Sequence, residues 1–316
     1  MIQRLSPAKS SRPLAIAESM VATLIWASSF IIAQYGMGHI GPLTMAGLRY
    51  PLAGLLMLPF LFRGQQSIRH LSAALWGRLF GIGLFAHALG NGAIFFAFNY
   101  LSATTLTFVS CFLPIPVLLI GIVQLGEFPS LVQLIGLVIT LVGSSMFFSG
   151  GLSGGEWIGI VVASFGLICF SYSTILSRGI ARHQQTSTLA LTALPLIFGG
   201  LPLLGGALLV EGLPTLTPLV WGVVIALAVL NTVVAYSLYY HSMQVLTAFE
   251  SNIFLNLAPL GTAVLAWYLF GEKLGLLSVV GIVIVIIGVT LVQWQPQGVR
   301  LVSAQTSENA ATNYTN

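Results

Sequence analysis

The sequence predicts an all-α membrane protein: ten transmembrane helices built as two inverted five-helix repeats. Three observations carry this expectation. Charged residues make up 6% of the 316-residue chain and hydrophobic residues 57%, whereas an ordinary soluble domain is about 25% charged. The apolar residues come in long blocks, such as the uncharged run from Leu274 to Val292, and roughly 18 or more apolar residues cross the ~30 Å hydrocarbon layer as a helix. Finally, the end of the first half recurs at the end of the second. Leu101-Ser102-Ala103, Pro114, Gly126-Glu127, Gly136 and Gly143 reappear as Leu246-Thr247-Ala248, Pro259, Gly271-Glu272, Gly281 and Gly288, each pair 145 positions apart.

Ten stretches have the length and composition of spans: 14–36, 43–62, 76–97, 101–122, 130–148, 156–177, 188–210, 218–240, 246–270 and 274–294. The first carries Glu18 and Trp26, and the second has Arg49 a turn or two inside it. Along the third, His87, Asn91, Phe95 and Asn99 recur at four-residue steps, which keeps side chains on one helical face. The fourth and ninth share the repeated proline. The fifth and tenth each carry two glycines seven positions apart, a small-residue face that lets helices approach closely and marks a scaffold pair. Cys111 and Cys169 fall inside spans and read as buried thiols rather than a disulfide. Pro and Gly inside several spans are compatible with helix, since neighbours in a membrane can satisfy the freed backbone groups. Alternating short segments of the barrel kind are absent.

Charge sets the orientation. With the N-terminus in the cytoplasm, Arg4, Lys9, Arg12, Arg63, Arg69, Arg78, Arg178, Arg182 and Arg300 lie on the cytoplasmic side and only Lys273 opposite. That is a strong positive-inside signal with both termini cytoplasmic. Five spans per half is an odd number, so the second half enters the membrane inverted relative to the first, a common transporter plan with binding near the midplane. The organisation expected is a cytoplasmic segment 1–13, repeats 14–148 and 156–294, and a disordered polar cytoplasmic tail 295–316. The basic start is read as preceding a retained first helix rather than as a signal peptide. The basic balance is topological and calls for no nucleic-acid partner.

Trp26-Ala27-Ser28-Ser29-Phe30, Arg49, Tyr100-Leu101-Ser102-Ala103-Thr104 through Pro114 to Gly126-Glu127, and the second copy through Pro259 to Gly271-Glu272-Lys273 together resemble the EamA-type drug/metabolite transporters over roughly residues 14–294. The resemblance implies ten helices in two inverted halves and export or import of a small organic metabolite. The second half departs from the pattern: it has Phe170-Ser171-Tyr172-Ser173 in place of the Trp26 motif, so the halves are expected to contribute unequally.

The substrate-binding residues expected are Trp26, Ser29, Asn91, Phe95, Asn99, Tyr172, Tyr236 and Asn256. A polar and aromatic stripe facing lipid would be costly, so it faces protein or a water-filled path; helix–helix hydrogen bonding would draw the same residues inward. Tyr236 lies with Thr232 and Tyr240 on one face of the eighth span, and Tyr supplies a flat ring with one hydroxyl. Arg49 either snorkels to the surface or holds an anionic group of the solute. Glu250 is either an interfacial charge or, with no basic neighbour in sequence, an acid that takes up a proton and couples transport to it. Glu127 and Glu272 are read as caps at opposite membrane faces.

The function expected is movement of a small, amino-acid-like solute across the plasma (inner) membrane, as an exporter working by alternating access. The protein would act as a monomer in the lipid bilayer, with no cofactor or metal. A channel or an uncoupled permease is the alternative. An enzyme is disfavoured: the chain has no Asp, its five His are scattered, and there is no His-Glu-x-x-His run. A retinal photoreceptor would need an intramembrane Lys, and Lys9 and Lys273 both lie outside the spans.

Overall fold

The computed structural model describes residues 11–34, 39–63, 71–97, 99–101, 103–147, 157–270 and 275–294. Ser102, Gly271, Glu272, Lys273, the first ten residues and the tail 295–316 lie outside the described residues, so the expectations that fall on them are not addressed. Every regular element in the described residues is helical. Helix suits a chain this apolar, because it satisfies all its backbone groups internally where water is excluded.

The helices are α1 (Arg12–Gln34), α2 (Pro42–Arg63), α3 (Ala73–Ala97), α4 (Thr105–Leu125), α5 (Leu131–Phe147), α6 (Trp157–Arg182), α7 (Thr188–Glu211), α8 (Pro218–Ser242), α9 (Ala248–Leu269) and α10 (Leu276–Gln293). Eight of them, α2 to α4 and α6 to α10, are long and apolar enough to cross a membrane, while α5 is apolar but has 17 residues. Large apolar side chains such as Phe60, Val123, Leu209 and Leu276 are exposed on the outside of the bundle. That is the inverse of a soluble surface and fits a lipid-facing band. Helix α6 runs to Arg182 rather than ending near 177. Arg178 near its end is held at Glu127 Oε1, 2.8 Å away, and at the Met243 carbonyl.

Four helices are interrupted, and the interruptions fall in matching places. α3 and α8, third in their halves, each contain an eight-residue π-helical segment, Leu84–Asn91 and Leu227–Val234. α4 breaks between Ser110 and Pro114, and α9 passes through a 3₁₀ turn, Phe254–Leu257, just before Ala258 and Pro259. Pro114 and Pro259 explain the breaks in α4 and α9, since proline removes a donor and crowds the preceding turn.

Two helix pairs join the halves. α5 packs along α10 and α2 along α7. A Cβ on Gly136 would stand 2.7 Å from the Gly288 carbonyl oxygen, and one on Gly288 would stand 2.7 Å from the Gly136 carbonyl oxygen. Gly143 and Gly281 meet in the same reciprocal way, at 2.9 and 2.7 Å. The order of contacts makes the pair antiparallel, and only glycine permits so close a backbone approach. In the other pair, Gly47 lies on the Leu204 backbone and Gly200 on the Pro51 ring. The partners are exchanged elsewhere too: α1 packs on α8 and α9, while α6 packs on α3 and α4. The largest cluster of buried apolar residues lies among α1, α2, α3, α6, α7 and α8, and the next among α1, α4, α5, α9 and α10.

The end of the bundle where α1 starts is tied by polar contacts. Arg12 makes a forked pair with Glu250, 2.8 and 3.3 Å, and Gln133 donates to the same carboxylate at 3.0 Å. Glu250 also closes a capping box with Thr247 at the start of α9. Glu127 accepts from the first backbone N–H of α9, that of Ala248, at 3.0 Å and pairs with Arg178. Glu18 meets His241 at 2.8 Å, and the Ser19 and Ser242 hydroxyls are 2.7 Å apart. At the other end, the Glu211 carboxylate accepts from the Leu43 and Thr44 backbone N–H groups, where the helix dipole favours an anion.

Candidate functional site

The larger apolar cluster holds a polar and aromatic centre supplied by α1, α2, α3 and α8. The Trp26 ring stands edge-on to Tyr236 and Tyr239, with centroids 5.1 and 5.3 Å apart, and its Nε1–H donates to the Asn231 carbonyl at 2.9 Å. Asn231 lies in the π segment of α8, and its Nδ2 reaches back to the Ile25 carbonyl on α1. The wide π turn therefore frees a backbone carbonyl for the indole and presents an amide to the facing helix. π segments recur at functional sites for this reason.

Helix α3 brings His87 and Asn91 from its own π segment. The His87 ring lies 4.7 Å from Tyr50 and 5.4 Å from Tyr236, and both its nitrogens are buried without a hydrogen-bond partner. Asn91 neighbours the Tyr236 hydroxyl, while its Nδ2 has no partner. From α2, Arg49 donates to the Tyr50 hydroxyl at 2.8 Å, with its guanidinium carbon 4.7 Å from the centre of that ring. Arg49 acts electrostatically on both His87 and Tyr236. The site thus combines one cation, several unpaired polar atoms and aromatic walls. Among the described residues no three His, Cys, Asp or Glu side chains come together as metal ligands.

Trp26, Asn91 and Tyr236 meet at this centre, and Phe95 packs against the same apolar cluster. The other expected residues do not join them. Ser29 turns its hydroxyl back onto the Trp26 carbonyl. Tyr172 stacks edge-on against Phe85, 5.0 Å away. Asn256 belongs to the α4–α9 contact, donating to the Cys111 carbonyl at 3.1 Å. Asn99 is exposed past the end of α3, bonded to the Phe96 carbonyl. The four-residue stripe ends before Asn99 because α3 ends at Ala97.

Glu250 does not meet the premise of its coupling role. It is buried, but Arg12, far away in sequence, supplies the cation, and Gln133 and the Thr247 backbone N–H take up further oxygen lone pairs. These contacts tie α1 and α5 to the start of α9. Tyr50 and Tyr239 stand outside the expected site residues, and Tyr240 shares the face expected for Tyr236. The adjacent Arg49-Tyr50 pair and the Tyr236, Tyr239, Tyr240 run along α8 were the available signals.

The EamA-like transporter family model matches the chain twice, over residues 14–149 and 157–294. The chain belongs to the EamA-like transporter family. An S-adenosylmethionine/S-adenosylhomocysteine transporter of Chlamydia muridarum is 28% identical over 293 residues, covering 86% of this chain and 90% of that protein. An uncharacterized transporter of Archaeoglobus fulgidus is 26% identical, covering 85% and 93%. The uncharacterized inner membrane transporter YedA of Escherichia coli is 24% identical, covering 85% and 87%. One solved crystal structure superimposes with a TM-score of 0.75 over 89% of this chain and 96% of that one, at 17% identity, which speaks to the fold. This EamA-like chain is therefore a multi-pass membrane transporter with the Arg49–His87–Tyr236 centre in the interior of its bundle.

Proposed function

We propose that this transporter exports a small amino-acid-like metabolite by alternating access between two inverted five-helix repeats, with ten spans and both termini in the cytoplasm. The two halves would be 14–148 and 156–294. The observation that carries the reading is the exchange of partners: α5 with α10 and α2 with α7 pair across the halves, while α1 on α8 answers α6 on α3. Such exchange is what a two-fold axis in the membrane plane produces. The solute would sit beside Trp26, Asn91 and Tyr236, flanked by Phe95.

The polar ties at the α1 start support a resting state closed at that end. Under the positive-inside assignment that end is cytoplasmic. The amino-acid-like class is favoured by the site's mixture of one cation and aromatic rings, and the Chlamydia relative's named solutes both contain an amino-acid portion. The test is metabolite profiling of cells carrying the wild-type chain or an empty vector, inside and outside the cell. Amino-acid-like solutes should gain outside at the expense of the inside. An unchanged distribution of every metabolite would contradict transport, and gain inside would contradict export.

A further inference from the structure

We propose that Arg49 is the anion anchor of the solute site: its guanidinium takes the carboxylate of a small zwitterionic solute whose remainder lies against Trp26 and Tyr236. This rests on the transport reading above and names the chemistry of that site.

An arginine well inside a membrane helix is costly unless it is paired or faces water. Each acidic side chain among the described residues is committed elsewhere: Glu250 to Arg12, Glu127 to Arg178, Glu18 to His241 and Glu211 to the backbone at the start of α2. Among the described residues Arg49 meets the Tyr50 hydroxyl and ring, which are neutral, and its Nε has no hydrogen-bond partner. Among the described residues the guanidinium is therefore held in position without a carboxylate of its own.

Several of the unpaired atoms around it can donate: Arg49 Nε–H, the Asn91 Nδ2 hydrogens beside the Tyr236 hydroxyl, and one N–H of a neutral His87 ring, whose other nitrogen accepts, as Asn231 Oδ1 does. His87 is fully buried. The charged donor among them, the Arg49 guanidinium, sets the preference: it asks for a ligand that brings acceptors and negative charge. A carboxylate fits, because arginine grips it through two parallel N–H bonds. One cation matches one negative charge; a phosphate dianion would call for a second. The Trp26 and Tyr236 rings can face an apolar stem or attract an ammonium group through their π systems.

The test uses the full-length chain in cells. Wild type, Arg49→Gln and Arg49→Lys are compared at matched membrane abundance and melting temperature, and redistributed metabolites are identified. Each solute moved by wild type is then supplied beside its primary amide. We expect the wild-type set to carry free carboxylates and wild type to prefer acid over amide by roughly tenfold or more, the scale of one charge-assisted pair. Arg49→Gln should lose that preference, and Arg49→Lys should keep part of it. A structural arginine would lower abundance or melting temperature without changing the preference. A wild-type set lacking carboxylates, one dominated by phosphate esters, or an unchanged acid-to-amide preference in Arg49→Gln would overturn the assignment. If wild type redistributes nothing, the transport reading itself fails.

Discussion

Asn256 donates from Nδ2 to the carbonyl of Cys111 at 3.1 Å, and the two residues are 145 positions apart, the same spacing that relates the repeated Pro114 and Pro259. Each is therefore the other's counterpart in the repeat, and they touch. The acceptor is open because the Ile115 N–H, which would serve Cys111 in a regular α-helix, turns to the Phe112 carbonyl at 3.0 Å instead. Asn256→Leu removes the donor and leaves a buried carbonyl unsatisfied. It should lower stability by about 1–3 kcal/mol, read as a fall in melting temperature in detergent. An unchanged melting temperature would mean that water or another donor serves Cys111.

Gly136→Val and Gly288→Val should both prevent stable folding. Each would drive a side chain into the partner's backbone, with a Cβ already at 2.7 Å from a carbonyl oxygen. Gly222→Ala has open space, with no neighbour within 4 Å. As a helix substitution it should be neutral or stabilising by up to ~1 kcal/mol. Membrane abundance and monodispersity on size exclusion compare the three directly. Folded protein from Gly136→Val at wild-type level would contradict the close α5–α10 crossing.

Arg12→Gln leaves a carboxylate with 1% side-chain exposure lacking its cation. Breaking a buried pair from one side costs on the order of 3–5 kcal/mol, discounted here because Arg12 is partly exposed. Glu250→Gln should also destabilise, while the pH dependence of transport keeps its wild-type shape. A changed pH profile in Glu250→Gln at full stability would restore a proton-coupling role.

Trp26→Ala removes the indole bond to the Asn231 carbonyl and two edge-on ring contacts. Loss of a large buried aromatic costs roughly 3–5 kcal/mol. Trp26→Phe keeps a ring and loses only the donor, about 1 kcal/mol. Transport should therefore fall in Trp26→Phe with melting temperature little changed, if the indole lines the solute path. Parallel losses of transport and stability across both variants would make Trp26 packing alone.

What the sequence made legible was set by composition and periodicity. Apolar length located the helices, and the glycines of α5 and α10, read as one close-packing face, do lie at a helix crossing. Polarity inside an apolar helix is costly and so points inward, and Trp26, Asn91 and Tyr236 do lie in the interior of the bundle. The rest depended on tertiary structure. Nothing local distinguishes Leu84–Asn91 as π-helical, and the four-residue pattern runs on to Asn99 although the helix ends at Ala97. Glu250 had no cation within its own segment; Arg12 reaches it only when α1 lies beside α9. Asn256 has a side chain suited to binding, but a broken backbone turn at Cys111 claims it.

Alternating access requires the end tied by α1 and α8 to open. The Ser19 and Ser242 hydroxyls, both fully buried, lie 2.7 Å apart across that contact. Cysteines at these two positions, in a chain with Cys111 and Cys169 replaced by Ala, would lock it on oxidation. The account predicts that the oxidised Ser19→Cys/Ser242→Cys protein stops moving solute and recovers on reduction, while each single variant is unaffected by oxidant. Transport at an undiminished rate in the fully cross-linked protein would contradict it.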